Sequence, residues 1–291
     1  MSSNGSIAHS PNIEPAVLSV WSRLLSHRMA LAGGTVITII VILSVLGPAI
    51  NPFDPDRADI LHRFLPPMTG GHILGTDELG RDILARLSAG GRISLTIGLL
   101  SMLISVVLGT AIGMVAGYRG GLTGAVLMRI VDAIMAFPTI FLVLALALFI
   151  KPGIVSTTLL IAATSWMGVA RMVEGQYRSL RRAEYAAAAQ TCGFSDTRIM
   201  IAELLPNAMG AIIVIGTINI ARAILLESYV SYLGYGIQAP MASWGNMLNN
   251  AQIYLTSAPW LAIVPGLAIA LTVTSFNFMG EGLRDFLEPR H

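Results

Sequence analysis

Long apolar stretches without charge alternate with shorter polar segments along the 291-residue chain. A helix needs about 20 residues to cross the ~30 Å of hydrocarbon in a bilayer, at ~1.5 Å per residue. Six stretches are near this length: residues 29–50, 93–117, 133–150, 152–170, 208–221 with a continuation to 226, and 259–280. The pattern therefore predicts six transmembrane helices.

The apolar stretches are continuous, and apolar and polar residues do not alternate within them. A membrane β-barrel requires such alternation, because one face of each strand meets lipid and the other meets the lumen. A helix satisfies its own backbone hydrogen bonds within the bilayer. We therefore predict an all-α polytopic membrane protein. The composition favours the same class, since 12% of the residues are charged, against about 25% in soluble domains.

The predicted spans divide the chain into one membrane domain and its connections. The polar start of the chain lacks a signal-peptide cleavage pattern, so we expect the first span to be retained as an anchor. The predicted order is an N-terminal segment at 1–28, a first span at 29–50, an outer loop at 51–92 with a short amphipathic helix around 82–89, a core at 93–282, and a tail at 283–291. The core has five spans and a cytoplasmic loop at about 178–207.

The distribution of basic residues predicts the orientation. With the N-terminus inside, the inner segments hold Arg23, Arg28, Arg119, Arg129, Arg171, Arg178, Arg181, Arg182, Arg198, Arg284 and Arg290. The outer segments hold fewer basic residues, and most of these share the 51–92 loop with acidic residues. An excess of positive charge in the inner segments predicts that both termini lie in the cytoplasm. Because topology accounts for the basic residues, we predict no nucleic-acid partner.

Two features inside the spans concern helix packing. Gly109, Gly113 and Gly117 place a small residue at every fourth position, which lets a neighbouring helix approach closely. Phe137-Pro138 predicts a kink in the third span, because the proline ring removes a backbone hydrogen bond. The kink has two interpretations, a role in gating and a role in packing alone.

The segment 228–259 has no charge and is rich in Gly, Pro, Ser, Asn and Gln. Its backbone is too polar to face lipid, so we expect it at the outer interface or folded back into the protein. Trp244, Tyr254 and Trp260 are typical of an interfacial aromatic belt.

Several kinds of catalytic site are not indicated by the sequence. The stretch GTDELGRD at 75–82 has the glycine spacing of a phosphate loop, but Arg-Asp replaces the required Lys-Ser/Thr, and the single lysine, Lys151, lies elsewhere. The histidines do not stand at metal-ligand spacing, and Cys192 is the single cysteine. Acidic residues at 54, 56 and 59 lack the glycine and closing glutamate of a calcium loop, which favours a solvated loop. We predict no catalytic, cofactor-binding or metal-binding residue in this chain.

Arg222 and Glu227 are ionisable residues in or at the end of the fifth span. A lone arginine near mid-membrane costs ~2.5–3.5 kcal/mol on insertion scales, so Arg222 is expected to face protein or water. Two alternatives remain open: a structural pair with Glu227 or a backbone carbonyl, and a place on a water-filled pathway where Arg222 attracts a substrate carboxylate. We treat both residues as candidates for a translocation pathway.

The stretch EYAAAAQTCGFSDTRIMIAELLPN at 184–207 is alanine-rich and charged between two apolar spans. Alanines favour a first helix, Gly193 is placed to end it, Ser195 can cap a second helix, and Pro206 is expected to stop that helix before the fifth span. The prediction is two short helices bent at a glycine. This segment is either a connector or a slim helix that docks into another protein, with Arg181, Arg182, Asp196 and Arg198 at its polar edges. Its length favours docking, since helix connections usually take about 2–8 residues.

The same stretch resembles the cytoplasmic loop of ABC importer permeases, with the pattern E-A-A, three residues, glycine, nine residues, I-x-L-P. Ala188, Ala189, Gly193, Leu205 and Pro206 fall on this pattern, whereas Ala187 and Glu203 depart from its glutamate and isoleucine. Glu184-Tyr185 is similar to the opening of the peptide-permease version. Further segments that resemble the dipeptide/oligopeptide permease family, and its second permease subunit in particular, are LGTDELGRDILARL (74–87), GGRISLTIGL (90–99), MRIVDAIMAFP (128–138), AILLESYVSYLGYGIQAPMASWG (223–245), APWLAIVPGLAI (258–269) and GEGLRDFLEPR (280–290).

The resemblance implies the type I importer permease fold and a subunit that forms half of a translocation pathway in a bacterial inner membrane. It implies three kinds of protein partner, namely a homologous permease, two cytoplasmic ATPases that bind ATP and magnesium, and an extracytoplasmic solute-binding protein, and it implies a peptide as cargo. The loop with Ala188, Ala189 and Gly193 would dock on an ATPase, spans two to five would line the pathway, and span one would wrap the partner permease.

Three alternatives stay open at this point. Relatives in the family carry nickel or other small solutes, so the cargo need not be a peptide. A proton-coupled secondary transporter would need titratable groups in the bundle, which are scarce in this sequence. A membrane scaffold without transport would leave the bent alanine segment without a purpose.

Overall fold

A computed structural model describes residues 28–287. The N-terminal segment 1–27 and the last four residues, and with them the predicted location of both termini, lie outside the described residues. The helices are α1 (Arg28–Ile50), α2 (Ile83–Arg119), α3 (Gly121–Met135), α4 (Thr139–Ala147), α5 (Ile154–Leu180), α6 (Glu184–Thr191), α7 (Leu205–Tyr232), α8 (Trp244–Met247) and α9 (Trp260–Leu287). Short 3-10 helices occupy Ile60–His62 and Ala251–Tyr254. Residues 28–287 contain no β-strand, so the all-α prediction is confirmed.

Five helices are long and apolar enough to cross a membrane: α1, α2, α5, the continuous helical stretch Asp196–Tyr232 that contains α7, and α9. The consecutive helices α3 and α4 together form a sixth candidate span, bent by 80° at the residues between them. Every one of the six predicted apolar stretches therefore lies mostly within helix. The predicted kink is confirmed at Pro138, which precedes α4 and cannot continue α3.

The short helix predicted around 82–89 does not exist as a separate element, because those residues form the first turns of the 37-residue helix α2. Asp82 caps this helix, and its Oδ1 accepts the Ala85 N–H at 2.7 Å. The helix continues through Gly90 and Gly91, and the missing side chains at these positions leave room for residues of the α7–α9 connection. A Cβ at Gly90 would meet the backbone of Ser243 at 3.1 Å, and one at Gly91 would meet Trp244 at 3.0 Å.

The three glycines at every fourth position bring α2 and α5 into backbone contact, as the spacing predicted. A Cβ at Gly109 would lie 2.6 Å from the Trp166 carbonyl oxygen, and a Cβ at Gly117 would lie 2.6 Å from that of Glu174. Gly113 faces the Ala170 carbonyl in the same register. Small residues at such an interface allow the close packing that associates helices in lipid. Helices α2 and α5 therefore form one closely packed unit.

The α1–α2 connection, residues 51–82, is held by polar contacts around the start of α2. The Asp82 carboxylate accepts from Asn51 Nδ2 at 2.8 Å, and its other oxygen lies 2.8 Å from His72 Nδ1. In the GTDELGRD stretch, Asp77 Oδ1 accepts the N–H groups of Leu79 and Arg81, each at 2.9 Å. These contacts fold the stretch into a turn, which is joined to the preceding residues because the Thr76 hydroxyl donates to the His62 carbonyl and the Phe64 N–H donates to that of Asp77.

The middle of the α7–α9 connection (residues 233–259) folds back into the bundle, whereas other parts of the connection are exposed. Trp244 is 1% exposed, and its Nε1 donates to the Leu87 carbonyl oxygen at 3.0 Å. The assignment of Trp244 to an interfacial belt was therefore wrong. Its indole ring lies inside the protein, next to Gly91 of α2, where no side chain occupies the space. Tyr254 and Trp260 are half-buried, and Trp260 Nε1 donates to the Thr76 carbonyl at 3.3 Å.

Candidate functional site

The bent segment, residues 184–198, is a short helix that ends at a glycine and is followed by a second helical turn. Gly193 has φ +76°, a left-handed conformation that costs glycine nothing. The Phe194 N–H donates to the Ala189 carbonyl at 3.2 Å, and the Gly193 N–H donates to that of Gln190 at 3.0 Å. These two bonds are a Schellman motif. The predicted end of the first helix at Gly193 is confirmed.

The second half of the segment differs from its prediction in two ways. Ser195 precedes the turn Asp196–Arg198, but its hydroxyl makes no capping hydrogen bond. The chain then continues through the π-helical stretch Ile199–Leu204 directly into α7. Pro206 lies in the first turn of α7 and does not stop a helix before the span. A proline is tolerated there because the first N–H groups of a helix have no partner within that helix. Leu205 is the first residue of α7.

Two tyrosines fix the bent segment and the π-helical stretch after it to the ends of the paired helices α2 and α5. The Tyr118 hydroxyl donates to Asp196 Oδ1 at 2.8 Å, and the Tyr177 hydroxyl donates to the Met200 carbonyl at 3.0 Å. Tyr177 is fully buried and Tyr118 is 4% exposed. The sequence analysis missed both tyrosines, since nothing in their local pattern marks them as partners of a segment that lies up to 78 residues away.

Two arginines flank these contacts. The Arg181 guanidinium lies 5.6 Å from the centre of the Tyr118 ring, and its Nη1 donates to the Arg119 carbonyl at 3.3 Å. The Arg198 guanidinium lies 3.9 Å from the centre of the Phe194 ring. The first cation–π contact joins the end of α5 to α2, and the second holds Arg198 against Phe194 within the bent segment.

Helix α6 has one face toward the protein and one toward solvent. Ala186 and Ala189 are buried in a cluster that includes Val173, Tyr177 and Ile199. Glu184, Tyr185 and Ala188 are exposed. Ala188 and Ala189, which the sequence analysis treated together, thus face different surroundings, because successive residues of a helix are ~100° apart. Although Tyr185 is exposed, partial burial raises the pKa of its hydroxyl, and the nearby negative charge of Glu203 raises that pKa further.

The structure does not bring Arg222 and Glu227 together. Glu227 is fully buried, and its carboxylate accepts from Ser94 Oγ at 2.8 Å and from Ser231 Oγ at 2.7 Å. Residues 28–287 provide no ion-pair partner for Arg222 within 4 Å. The structural pair with Glu227 was therefore a wrong alternative. Residues five apart on a helix differ by ~140° in direction, so their side chains do not meet. Glu227 is part of the packed interior and does not line the cavity described next.

Arg222 lies exposed at a cavity of about 450 Å³ bordered by α3, α4, α5 and α7. Met135 and Thr139 border it at the bend between α3 and α4, and Ser165 borders it from α5. Asn219, one turn before Arg222, is 4% exposed, and its Nδ2 has no hydrogen-bond partner in residues 28–287. The sequence analysis missed Asn219, although an amide three residues before a lone arginine in an apolar run is a usable signal.

The fold and these two features define a class: a polytopic helical membrane protein that has a cavity with an exposed arginine among its spans and a partly exposed helix at one end of the bundle. Residues 109–291 match the family described as "Binding-protein-dependent transport system inner membrane component", and residues 18–67 match "N-terminal TM domain of oligopeptide transport permease C". The chain therefore belongs to the family of binding-protein-dependent transport system inner membrane components, whose permeases have the type I importer fold.

Known permeases are similar to this chain over most of its length. The dipeptide transport system permease protein DppC of Bacillus subtilis is 39% identical over 93% of this chain and 84% of its own length. The oligopeptide transport system permease protein OppC of Escherichia coli is 39% identical over 97% of this chain and 95% of its own. The glutathione transport system permease protein GsiD of Pectobacterium atrosepticum is 36% identical over 93% and 90%, respectively. The chain is thus a multi-pass inner-membrane permease subunit.

Proposed function

We propose that this chain forms half of the translocation pathway of an ATP-driven importer for peptides. The observation that carries the proposal is the bent segment: its exposed helix α6 leads into residues 196–200, which buried tyrosines hold against the ends of two spans. The similar permeases named for dipeptide, oligopeptide and glutathione transport support a peptide as cargo, since all three cargoes are peptides. The chain itself is a transport subunit and not an enzyme.

The proposed partners are a homologous permease, two ATPase subunits and an extracytoplasmic solute-binding protein. Family membership supports this set. ATP and magnesium would bind to the ATPase subunits, because the glycine loop at 75–82 of this chain has Arg-Asp in place of the Lys-Ser/Thr that holds phosphate and metal. The exposed side of the Arg222 cavity supports a second permease as the other wall of the pathway.

The proposed orientation places both termini and the bent segment in the cytoplasm. Five arginines between 171 and 198 support it, since cytoplasmic segments carry an excess of basic residues. The exposed residues Glu184, Tyr185 and Ala188 would then face an ATPase, together with Gly193 at the bend.

Transport in this proposal works by moving packed units. Closure of the ATPases displaces α6, whose buried face packs against the π-helical stretch Ile199–Leu204 and shares one buried cluster with Val173 and Tyr177 of α5. The Tyr118 and Tyr177 hydrogen bonds extend this connection to the ends of α2 and α5. Since α2 and α5 are in backbone contact, the displacement turns them as one body and changes the access to the cavity beside α7. Nucleotide shifts the equilibrium only if the ATPases bind the segment differently in the two states.

The test is reconstitution of the chain with its partners in vesicles. Uptake of a labelled dipeptide should require ATP, both permeases, the ATPases and the binding protein, and the ATPases should co-purify with this chain. Uptake by the isolated chain without nucleotide would contradict the proposal and favour a secondary transporter. Uptake of nickel but of no peptide by the full complex would contradict the proposed cargo.

A further inference from the structure

The cavity beside α7 has the size and the lining of a ligand site. Its volume of about 450 Å³ is within the roughly 300–1,000 Å³ of small-molecule pockets. Much of its wall is apolar, formed by side chains that include Met135, Met167, Leu225 and Leu226. Methionine adapts to differently shaped neighbours, which suits a site that accepts varied side chains.

The charged part of the cavity lining is positive and therefore favours an anion. Among the described residues that border the cavity, Arg222 is the one charged side chain, and acidic residues are missing from that lining. Arg222 lies exposed to the cavity and is unpaired within residues 28–287. The guanidinium presents several N–H donors in a plane that matches the two oxygens of a carboxylate.

Asn219 is the second, independent observation. It lies three residues before Arg222, on the same face of α7, and it also borders the cavity. Its side chain is 4% exposed, and its Nδ2 is a buried donor without a partner in the described part of the chain. Buried donors are almost always paired, so an orphaned amide next to an unpaired arginine indicates that a ligand supplies the acceptor.

The depth of the site favours cargo over lipid. Arg222 is ten residues before the end of α7 at Tyr232, or about 15 Å along the helix axis, and seventeen residues, or about 26 Å, after its start at Leu205. Phosphate head groups lie at the surfaces of the bilayer, outside the ~30 Å hydrocarbon layer. A peptide that crosses the membrane passes this depth, and it carries a carboxylate at its C-terminus whatever its side chains are.

We propose that Arg222 and Asn219 form a carboxylate-binding subsite for the C-terminus of a peptide in transit. This inference rests on the proposed function as a peptide permease. The subsite recognises the feature that peptides share, while the methionine and leucine walls contact the side chains that vary.

The experiment compares two cargoes in the reconstituted complex: Ala-Ala with a free carboxylate, and Ala-Ala with a C-terminal amide. Initial uptake rates are measured at saturating binding protein for the wild type, Arg222→Gln, Arg222→Lys and Asn219→Ala. Arg129→Gln is the matched control, because Arg129 is an exposed arginine of α3 that does not border the cavity. The same binding protein loads every complex, so its own preference cancels when acid-to-amide ratios are compared between variants.

We expect Arg222→Gln to lower the acid-to-amide ratio about tenfold, as for the loss of a hydrogen bond to a charged group. Asn219→Ala should lower it less, Arg222→Lys should retain part of it, and Arg129→Gln should leave it unchanged. The subsite would be overturned if Arg222→Gln left the acid-to-amide ratio unchanged, including the case in which uptake of both cargoes falls equally. It would also be overturned if the partner permease no longer co-purified with this variant. Should Arg222→Gln fail to fold, an unchanged ratio in both Arg222→Lys and Asn219→Ala would overturn it equally.

Two further arms separate the possible causes of failure. The acid-to-amide ratio of the wild type is measured in vesicles with low and high fractions of phosphatidylglycerol. If this ratio changes as much between the two vesicles as it does in Arg222→Gln, the site binds lipid, and the proposed subsite is overturned. Absence of ATP-dependent uptake of either dipeptide by the wild-type complex would refute the proposed peptide cargo itself, whereas normal uptake with an unchanged ratio refutes the subsite alone.

Discussion

Ser94 Oγ donates a hydrogen bond to Glu227 Oε2 over 2.8 Å and so joins α2 to α7 in the interior of the bundle. Ser94 Oγ in turn accepts the Trp244 N–H at 3.2 Å. Ser231 repeats the arrangement, since its Oγ donates to Glu227 Oε1 and accepts the Ile237 N–H at 2.9 Å. One carboxylate thus holds two spans and the α7–α9 connection through two hydroxyl groups.

Replacing Glu227 by alanine should destabilise the protein. Both serine hydroxyls would lose a buried acceptor, and we expect the free energy of unfolding to fall by about 2–4 kcal/mol. Glu227→Gln keeps one acceptor oxygen and should cost about half as much. Thermal unfolding of the purified chain in detergent measures this order, and a wild-type midpoint for Glu227→Ala would show that the hydroxyls find other acceptors.

The contact of α2 with α5 predicts a sharp response to a single methyl group. Gly113→Ala places Cβ against the Ala170 carbonyl, so the helices must separate, and the free energy of unfolding should fall by about 1–3 kcal/mol. Gly266→Ala in α9 is the control, because no atom lies within 4 Å of its Cβ position. Equal midpoints for the two variants in the same detergent assay would contradict the close packing.

The left-handed turn at Gly193 predicts an uncoupled complex when it is lost. A valine there is strained at φ +76°, which costs about 1–3 kcal/mol, and relief of the strain changes the angle of α6. In vesicles with the full complex, Gly193→Val should reduce dipeptide uptake about tenfold, while ATP hydrolysis continues.

The control for this variant is Gly175→Val. Gly175 also has open space around its Cβ position, but it lies in the ordinary helical conformation of α5. Normal uptake by the Gly193→Val complex would show that the turn does not transmit the motion. Equal loss in both variants would instead point to the added side chain and not to the turn.

The Tyr118 hydroxyl should matter for coupling more than for assembly. Tyr118→Phe removes its hydrogen bond to Asp196, worth about 1 kcal/mol, and should lower the uptake per ATP hydrolysed about fivefold. Tyr235→Phe, at an exposed tyrosine in the α7–α9 connection, should leave this ratio unchanged. A normal ratio for Tyr118→Phe would leave Tyr177 and the apolar packing of α6 as the connection to the spans.

The spans and the bends could be predicted because their causes are local. Apolar length places a helix in lipid, and Pro138 and Gly193 change the chain direction by their own backbone chemistry. The bounds of α2 could not be predicted in this way. The predicted loop extended to residue 92, but Gly90 and Gly91 lie within α2, where they accommodate Ser243 and Trp244, which lie more than 150 residues further along the chain.

The same limit applies to the candidate sites. The burial of Trp244, the orientation of Ala189 and the two tyrosine contacts depend on which helices are neighbours, and that information is distributed over the whole chain. The suggested pairing of Arg222 with Glu227 was wrong for a reason that helix geometry alone supplies, since their spacing of five residues points them to different faces. Asn219, three residues away on the arginine's own face, was the residue to examine.

The bend between α3 and α4 has a consequence for the barrier function of the membrane. Helix α4 has nine residues, which extend about 14 Å and reach across less than half of the hydrocarbon layer. Met135 and Thr139, at the bend, also border the cavity. The span that α3 and α4 form together is therefore bent beside the cavity, and we expect a neighbouring chain to cover that side so that ions do not leak.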